Sequence, residues 1–210
     1  MKKLYTIGHS THSNEYFLTL LKQNQINCVI DVRSMPYSKY ASQYNRDELK
    51  KYLKNNGLFY IFMGKEFGAR QTDKSLFSSD GYVDFEKVIK TPSFKNGMDR
   101  VYDGLQKGFN IAFMCAEKDP MDCHRNILVA RAFYVQNCQV VNILNDGRLE
   151  TQEEVYQRLL DYYFPTREQR TIMDFLDGEK SENELIQEAL RLRNKKIAYS
   201  EDESEAVPLI

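Results

Sequence analysis

The sequence predicts a three-layer α/β fold, a mostly parallel sheet with helices on both faces, followed by a C-terminal helical extension. Three observations carry this. Five short apolar runs recur through the first 144 residues, each apolar on both faces, so each needs cover on both sides. Amphipathic helical stretches separate consecutive runs. That alternation implies right-handed crossovers between parallel neighbours.

Residues 4–7 read as the first strand and 15–24 as the helix that follows. The second strand is 28–32. A helix over 46–56 is opened by Asn45 and Glu48 in capping-box spacing and stopped by Gly57. The third strand is 58–62, and helices over 85–90 and 99–107 fill the interval before the fourth, 111–115. A helix over 122–136 leads to the fifth strand, 140–144. Asp146-Gly147 marks a turn, and Thr151 with Glu154 starts a helix that Pro165 ends. Thr166 with Gln169 and Ser181 with Glu184 open two further helical stretches. The α/β domain is thus placed at 1–165 and the extension at 166–210. From about Arg193 the acidic end has too few apolar groups to offset an ordering cost of roughly 1–2 kcal/mol per residue, so fraying is expected there.

Composition bounds the function. Residues 1–165 hold 22 basic against 19 acidic side chains, and residues 166–210 hold 7 against 11. Neither part has the strongly basic footprint of a dedicated nucleic-acid binder. No apolar run is long enough to span a bilayer and no signal peptide precedes the first strand, so a cytoplasmic protein with no membrane partner is expected. Cys28, Cys115, Cys123 and Cys138 lie in or beside apolar segments, which argues against disulfides in that compartment. Cys28 and Cys138 read as core.

In an open parallel sheet, ligands settle outside the carboxyl ends of the strands. Here those ends are polar: Gly8-His9-Ser10-Thr11-His12 after the first strand, Asp31-Val32-Arg33-Ser34-Met35-Pro36 around the second, and the loop from Cys115 through Glu117 and Asp119 to Cys123-His124-Arg125 after the fourth. Alternation along the strand points Asp31 and Arg33 the same way, close enough to pair. His124 and Arg125 fall in the first turn of a helix, where exposed N–H groups disfavour positive charge, so an anionic ligand would explain them. The competing reading is that Asp122 caps the helix and Arg125 pairs with Glu117 or Asp119. A phosphatase-like or rhodanese-like cysteine loop is opposed by spacing, because Met121 and Val129 stand six residues after the two cysteines where that loop would carry arginine. A dinucleotide fingerprint fails because Gly8 lacks its second and third glycines. Zinc ligation by Cys115, Cys123, His124 and either His9 or His12 is opposed by the adjacency of Cys123 and His124 and the absence of any Cys-x-x-Cys pair. No cofactor is therefore expected. Tyr37, Lys39, Tyr40, Tyr44, Asn45 and Arg46, with the later Lys65, Gly68 and Arg70, mix aromatics and cations as a phosphate-bearing ligand requires, although tyrosines covering the sheet edge would read alike.

Tyr5-Thr6-Ile7-Gly8-His9-Ser10, Ile30-Asp31-Val32-Arg33-Ser34-x-Pro36, Tyr44-Asn45, Phe67-Gly68-Ala69-Arg70 and Met114-Cys115-Ala116-Glu117-x-x-Pro120-x-x-Cys123-His124-Arg125, in that order, resemble the bacterial domain-of-unknown-function 488 family over roughly residues 4–145. The resemblance implies a three-layer α/β fold and no established activity. Ala69 stands where the family pattern leads us to expect glycine.

The first functional expectation is an enzyme acting on a phosphate-bearing small molecule or nucleic acid. In it His9, Ser10, Asp31, Cys115, Glu117, Cys123 and His124 would form the catalytic group, and Arg33, Tyr37, Asn45, Arg70 and Arg125 would bind substrate. His9 or His124 would transfer protons, and Cys115 or Cys123 would serve as nucleophile. The alternatives are a non-catalytic nucleotide or nucleic-acid binding module and a zinc-stabilised domain.

Overall fold

A computed structural model describes residues 2–167 and 180–200. In chain order the elements are β1 (Lys3–Gly8), α1 (Asn14–Gln23), β2 (Cys28–Asp31), α2 (Arg46–Asn55), β3 (Phe59–Phe62), α3 (Gly64–Phe67), α4 (Phe85–Val88), α5 (Pro92–Gln106) and β4 (Ile111–Cys115). A π-helical segment (Arg125–Ala130) then runs into α6 (Arg131–Tyr134), and β5 (Gln139–Ile143), β6 (Leu149–Thr151), α7 (Gln152–Tyr163) and α8 (Glu182–Ile197) complete the order. The sheet order is β3-β2-β4-β1-β5-β6. Every pairing is parallel except β5 with β6.

The two-sided strands are covered as their composition requires. Ala112 and Met114 face one way, with Val29, Ile7 and Val141, beneath Phe17, Leu20 and Leu21 of α1 and Leu49 and Leu53 of α2. The alternate positions Ile111, Phe113 and Cys115 face the other way and meet Phe94 and Met98 of α5, Ile127 and Phe133 of the π/α6 helix, Leu159 of α7, and Ala189 and Leu190 of α8. β1 is thus followed by a helix on one face, while its neighbour β4 is followed by a helix on the other. Such a reversal between adjacent strands opens a crevice at their carboxyl ends.

Several boundaries differ from the sequence reading. α5 begins at Pro92 rather than residue 99, because Thr91 caps it and Pro92 occupies its first turn. β6 follows the Asp146-Gly147 turn and pairs antiparallel with β5; at three residues it is too short to show alternation. The helix expected at 122–136 starts one turn late. Residues Pro120–Asp122 form a separate 3₁₀ turn, and Cys123 is extended (φ −134°, ψ 134°) before the chain turns helical. Asn45 precedes α2 but makes no capping bond to it, and its side chain accepts from the Ser38 N–H at 2.7 Å instead. Fraying does not begin near Arg193: α8 runs to Ile197, Arg193 and Asn194 are buried, and Tyr82 bridges to Ser200. The helical stretch expected to open with Thr166 and Gln169 lies outside the described residues from 168 onward, as do the acidic residues after Ser200.

Candidate functional site

The crevice between β1 and β4 gathers most of the sequence-selected residues, sorted by the sheet into two groups. Gly8 and Cys115 are register partners, and Asp31 lies beside Met114. On the α1/α2 face, Arg33 grips Asp31 with two hydrogen bonds, Nε to Oδ1 at 3.0 Å and Nη2 to Oδ2 at 2.7 Å. Its Nη2 also donates to the Tyr44 carbonyl at 2.7 Å, which ties the 36–46 loop to the strand end. His9 Nδ1 lies 3.0 Å from the Ser10 carbonyl and so carries the proton, leaving Nε2 to accept from Arg33 Nη1 at 3.2 Å. The His9 ring stacks on Tyr44 with centroids 4.0 Å apart. Burial, then the Arg33 charge, lowers its pKa to about 4. Tyr60 completes the group by donating its hydroxyl to Asp31 Oδ2 at 2.7 Å.

On the opposite face stand Cys115, Glu117, Cys123 and His124, whose potential ligand atoms all lie within 4.8 Å of one another. Cys115 Sγ is 3.7 Å from His124 Nδ1. The Cys123 thiol and Glu117 carboxyl share a hydrogen bond of 2.8 Å. His124 Nε2 donates to the Val32 carbonyl at 2.9 Å, which fixes the ring so that Nδ1 faces the thiols. Cys115, Cys123 and His124 are buried, and Glu117 is exposed as a residue. Burial pushes the Cys115 thiol well up, and the neighbouring Cys123 adds to this. Burial also acts to raise Cys123, but the hydrogen bond from Cys115 and the Arg125 charge outweigh it and hold that thiol well below its usual range. Although Glu117 as a residue is exposed, its carboxyl turns in onto Cys123, and that desolvation first, then the Cys123 charge, raises its pKa.

Arg125 meets neither of its expected partners. It is fully buried; Nη1 donates to the Glu117 carbonyl at 2.7 Å and Nη2 to the Lys118 carbonyl at 3.2 Å. A guanidinium turned back onto carbonyl oxygens is tolerated at a helix start because those oxygens, not the helix N–H groups, face its charge. Asp122 does not cap the helix either, since its carboxylate pairs with Arg193 at 2.6 Å. The folded loop presses on β1: a Cβ added at Gly8 would lie 1.9 Å from the Glu117 carbonyl oxygen, so only glycine fits there.

Arg33 and Arg125, expected to face an anion, are both buried and hydrogen-bonded to internal partners. Ser10, half-buried with φ 46°, turns the chain back from β1. Tyr37 and Arg70 are exposed at the rim, the Arg70 guanidinium 5.3 Å from the Tyr199 ring. Asn45 is occupied within its own loop, and Ala69 packs against the core. Of the proposed zinc ligands, Cys115, Cys123 and His124 come together; His9 and His12 are not among them, and Glu117 is. Sequence reasoning missed Tyr60, which is legible only as a polar-tipped residue of the same parity on the strand beside Asp31. A cleft of about 530 Å³ flanks the loop, lined in part by Lys118, Asp119, Arg148, Glu150 and Arg158. Its two arginines are paired with Asp146, Asp119 and Glu150.

These features define a doubly wound α/β protein whose topological switch point gathers thiols, imidazole and carboxylates. The chain belongs to the family described as Domain of unknown function DUF488, whose model matches residues 13–132. The matched span takes in every motif but the first, Tyr5–Ser10, which contributes His9 to the site. No curated protein and no solved structure matches the chain. Among the described residues no helix is long and apolar enough to cross a membrane.

Proposed function

We propose that the chain is an enzyme acting on a phosphate-bearing substrate, a nucleotide or a nucleic acid, at this crevice. One observation carries the reading: three buried ionisable groups, Cys115, Cys123 and His124, meet a fourth, Glu117, that is exposed and followed by the exposed cation Lys118, while the segments after β2 and α3 expose Lys39, Tyr37, Tyr40 and Arg70. Lys39, Arg70 and Lys118 have no carboxylate partner among the described residues, unlike the arginines of the neighbouring cleft. Rim cations hold the anion, and the tyrosines offer faces on which bases stack. Glu117, exposed and in contact with Cys123, moves the proton. Asp31, Arg33 and His9 act as positioning residues, since Arg33 fixes both His9 and the loop that carries Tyr37 and Lys39.

The test incubates the full chain with mixed nucleotide and oligonucleotide pools and follows products by mass spectrometry, with binding read from the shift in Tm. Replacing Arg70 and Lys118 together by alanine is expected to weaken binding about 10–100-fold, from lost charged hydrogen bonds worth about 1.5–3 kcal/mol. Glu117→Gln is expected to keep binding and lose turnover. Binding without turnover in the wild-type chain establishes the non-catalytic module instead, and the absence of both overturns the reading.

A further inference from the structure

We infer that Cys115, Cys123 and His124 form a zinc site, with Glu117 in the fourth, solvent-facing position. The sequence argued against this because adjacent cysteine and histidine rarely reach one ion. The local backbone removes that objection. Cys123 is extended while His124 takes helical angles (φ −61°, ψ −23°), so the chain turns between them and both side chains meet the end of β4, where Cys115 waits.

Three features favour a metal over a reactive thiol. First, a tetrahedral zinc ion with bonds of about 2.0–2.3 Å separates its donor atoms by roughly 3.3–3.8 Å. The Cys115 Sγ to His124 Nδ1 separation of 3.7 Å falls in that range, and all four donors lie within 4.8 Å. The 2.8 Å contact between Cys123 and Glu117 must open, and the widest pair, at up to 4.8 Å, must close by about 1 Å. Second, the outer contacts are those that orient metal ligands. The His124 Nε2–H is spent on the Val32 carbonyl, aiming Nδ1 at the thiols, and the Arg125 backbone N–H donates to Cys123 Sγ at 3.4 Å. Third, Cys115 and Cys123 are 2% and 1% exposed, closed to a substrate, whereas Glu117 is exposed.

The charges also balance. A divalent ion offsets two thiolates, and the buried Arg125 guanidinium, anchored on the Glu117 and Lys118 carbonyls, offsets the Glu117 carboxylate. Two soft sulfurs with an imidazole select zinc over the hard cations magnesium and calcium, which take oxygen ligands. With three buried protein ligands and one exchangeable position, the site has the form that polarises a bound water or an incoming oxygen. Glu117 leaving the ion would stand beside that water as its base.

The inference uses the same cluster as the enzymatic reading but no substrate, so the two fail separately. Full-length reduced chain, stripped with a chelator, is titrated with Co²⁺ as a spectroscopic stand-in. One equivalent is expected to give thiolate-to-cobalt charge-transfer absorption and the intense visible bands of a tetrahedral ion, both abolished by Zn²⁺. Cys115→Ser and Cys123→Ser are each expected to weaken binding more than about 100-fold, while Cys28→Ser leaves it unchanged. No such bands, or bands that persist in both serine variants, overturn the site. Should a serine variant fail to fold, alkylation mapping of the wild type in mild urea decides. Zinc must then slow labelling of Cys115 and Cys123 at least about 10-fold relative to Cys138; equal slowing of all three overturns the proposal.

Discussion

His9 shows how burial sets the chemistry of a single residue. Its imidazole is neutral because desolvation and the Arg33 guanidinium both disfavour the cation, lowering its pKa from 6.5 to about 4. The unfolded chain therefore binds a proton that the folded chain refuses between those values. His9 thus contributes stability that is complete above pH 6.5 and is lost as the pH falls toward 4, about 3 kcal/mol in all. Melts across this window are expected to show a steeper acid loss in the wild type than in His9→Gln; equal slopes would remove His9 as the cause. At this scale the sequence was legible wherever strand alternation decides, as for Asp31 and Arg33. It was not legible for Arg125, because that arginine's partners are carbonyl oxygens that converge only once residues 116–119 have folded onto Gly8.

Among the elements, the π-helical turn is the least legible. Apolar periodicity announced a helix over 122–136, but not that all six side chains from Arg125 to Ala130 would be buried. The turn packs against β1, β4 and α8, and a polar network ties it to β5 and α7. Asn126 Nδ2 donates to Asn142 Oδ1 and Gln152 Oε1 at 2.9 and 2.8 Å, Gln152 Nε2 returns a bond to Asn126 Oδ1, and Thr6 Oγ1 donates to Asn142 Oδ1. β1, β5, α7 and the π-turn thus meet through two linked amides, Asn126 and Asn142, and a wider turn of this kind often accompanies a functional site. Asn126→Ala strands buried partners on both sides and is expected to cost about 2–4 kcal/mol in urea unfolding. Asn126→Ala combined with Gln152→Ala should cost less than the two separately, and simple additivity would show that the amides act independently.

Taken whole, the molecule closes its second face with α8, a segment whose capping box at Ser181 and Glu184 was plain in the sequence while its destination was not. Composition gives no sign that Asn194 will accept from the Phe85 N–H and donate to the Val83 carbonyl, or that Arg193 will pair with Asp122 beside the site loop. Asn194→Ala leaves two backbone groups buried without partners and should lower stability by about 2–3 kcal/mol. Denaturant midpoints check this, and a change under about 0.5 kcal/mol would show that water replaces the amide. The strand order has a further consequence, in time rather than in space. β1 lies between β4 and β5, so its first partner is made a hundred residues after it, and Gly8 must await Cys115. During synthesis the opening strand leaves the ribosome with both edges bare, and the α1, β2, α2 and β3 units emerge before the central pairing can form. High contact order of this kind makes for slow folding and makes assembly of the sheet's centre a late, collective event. The crevice, with its thiols and imidazole, comes into being only then.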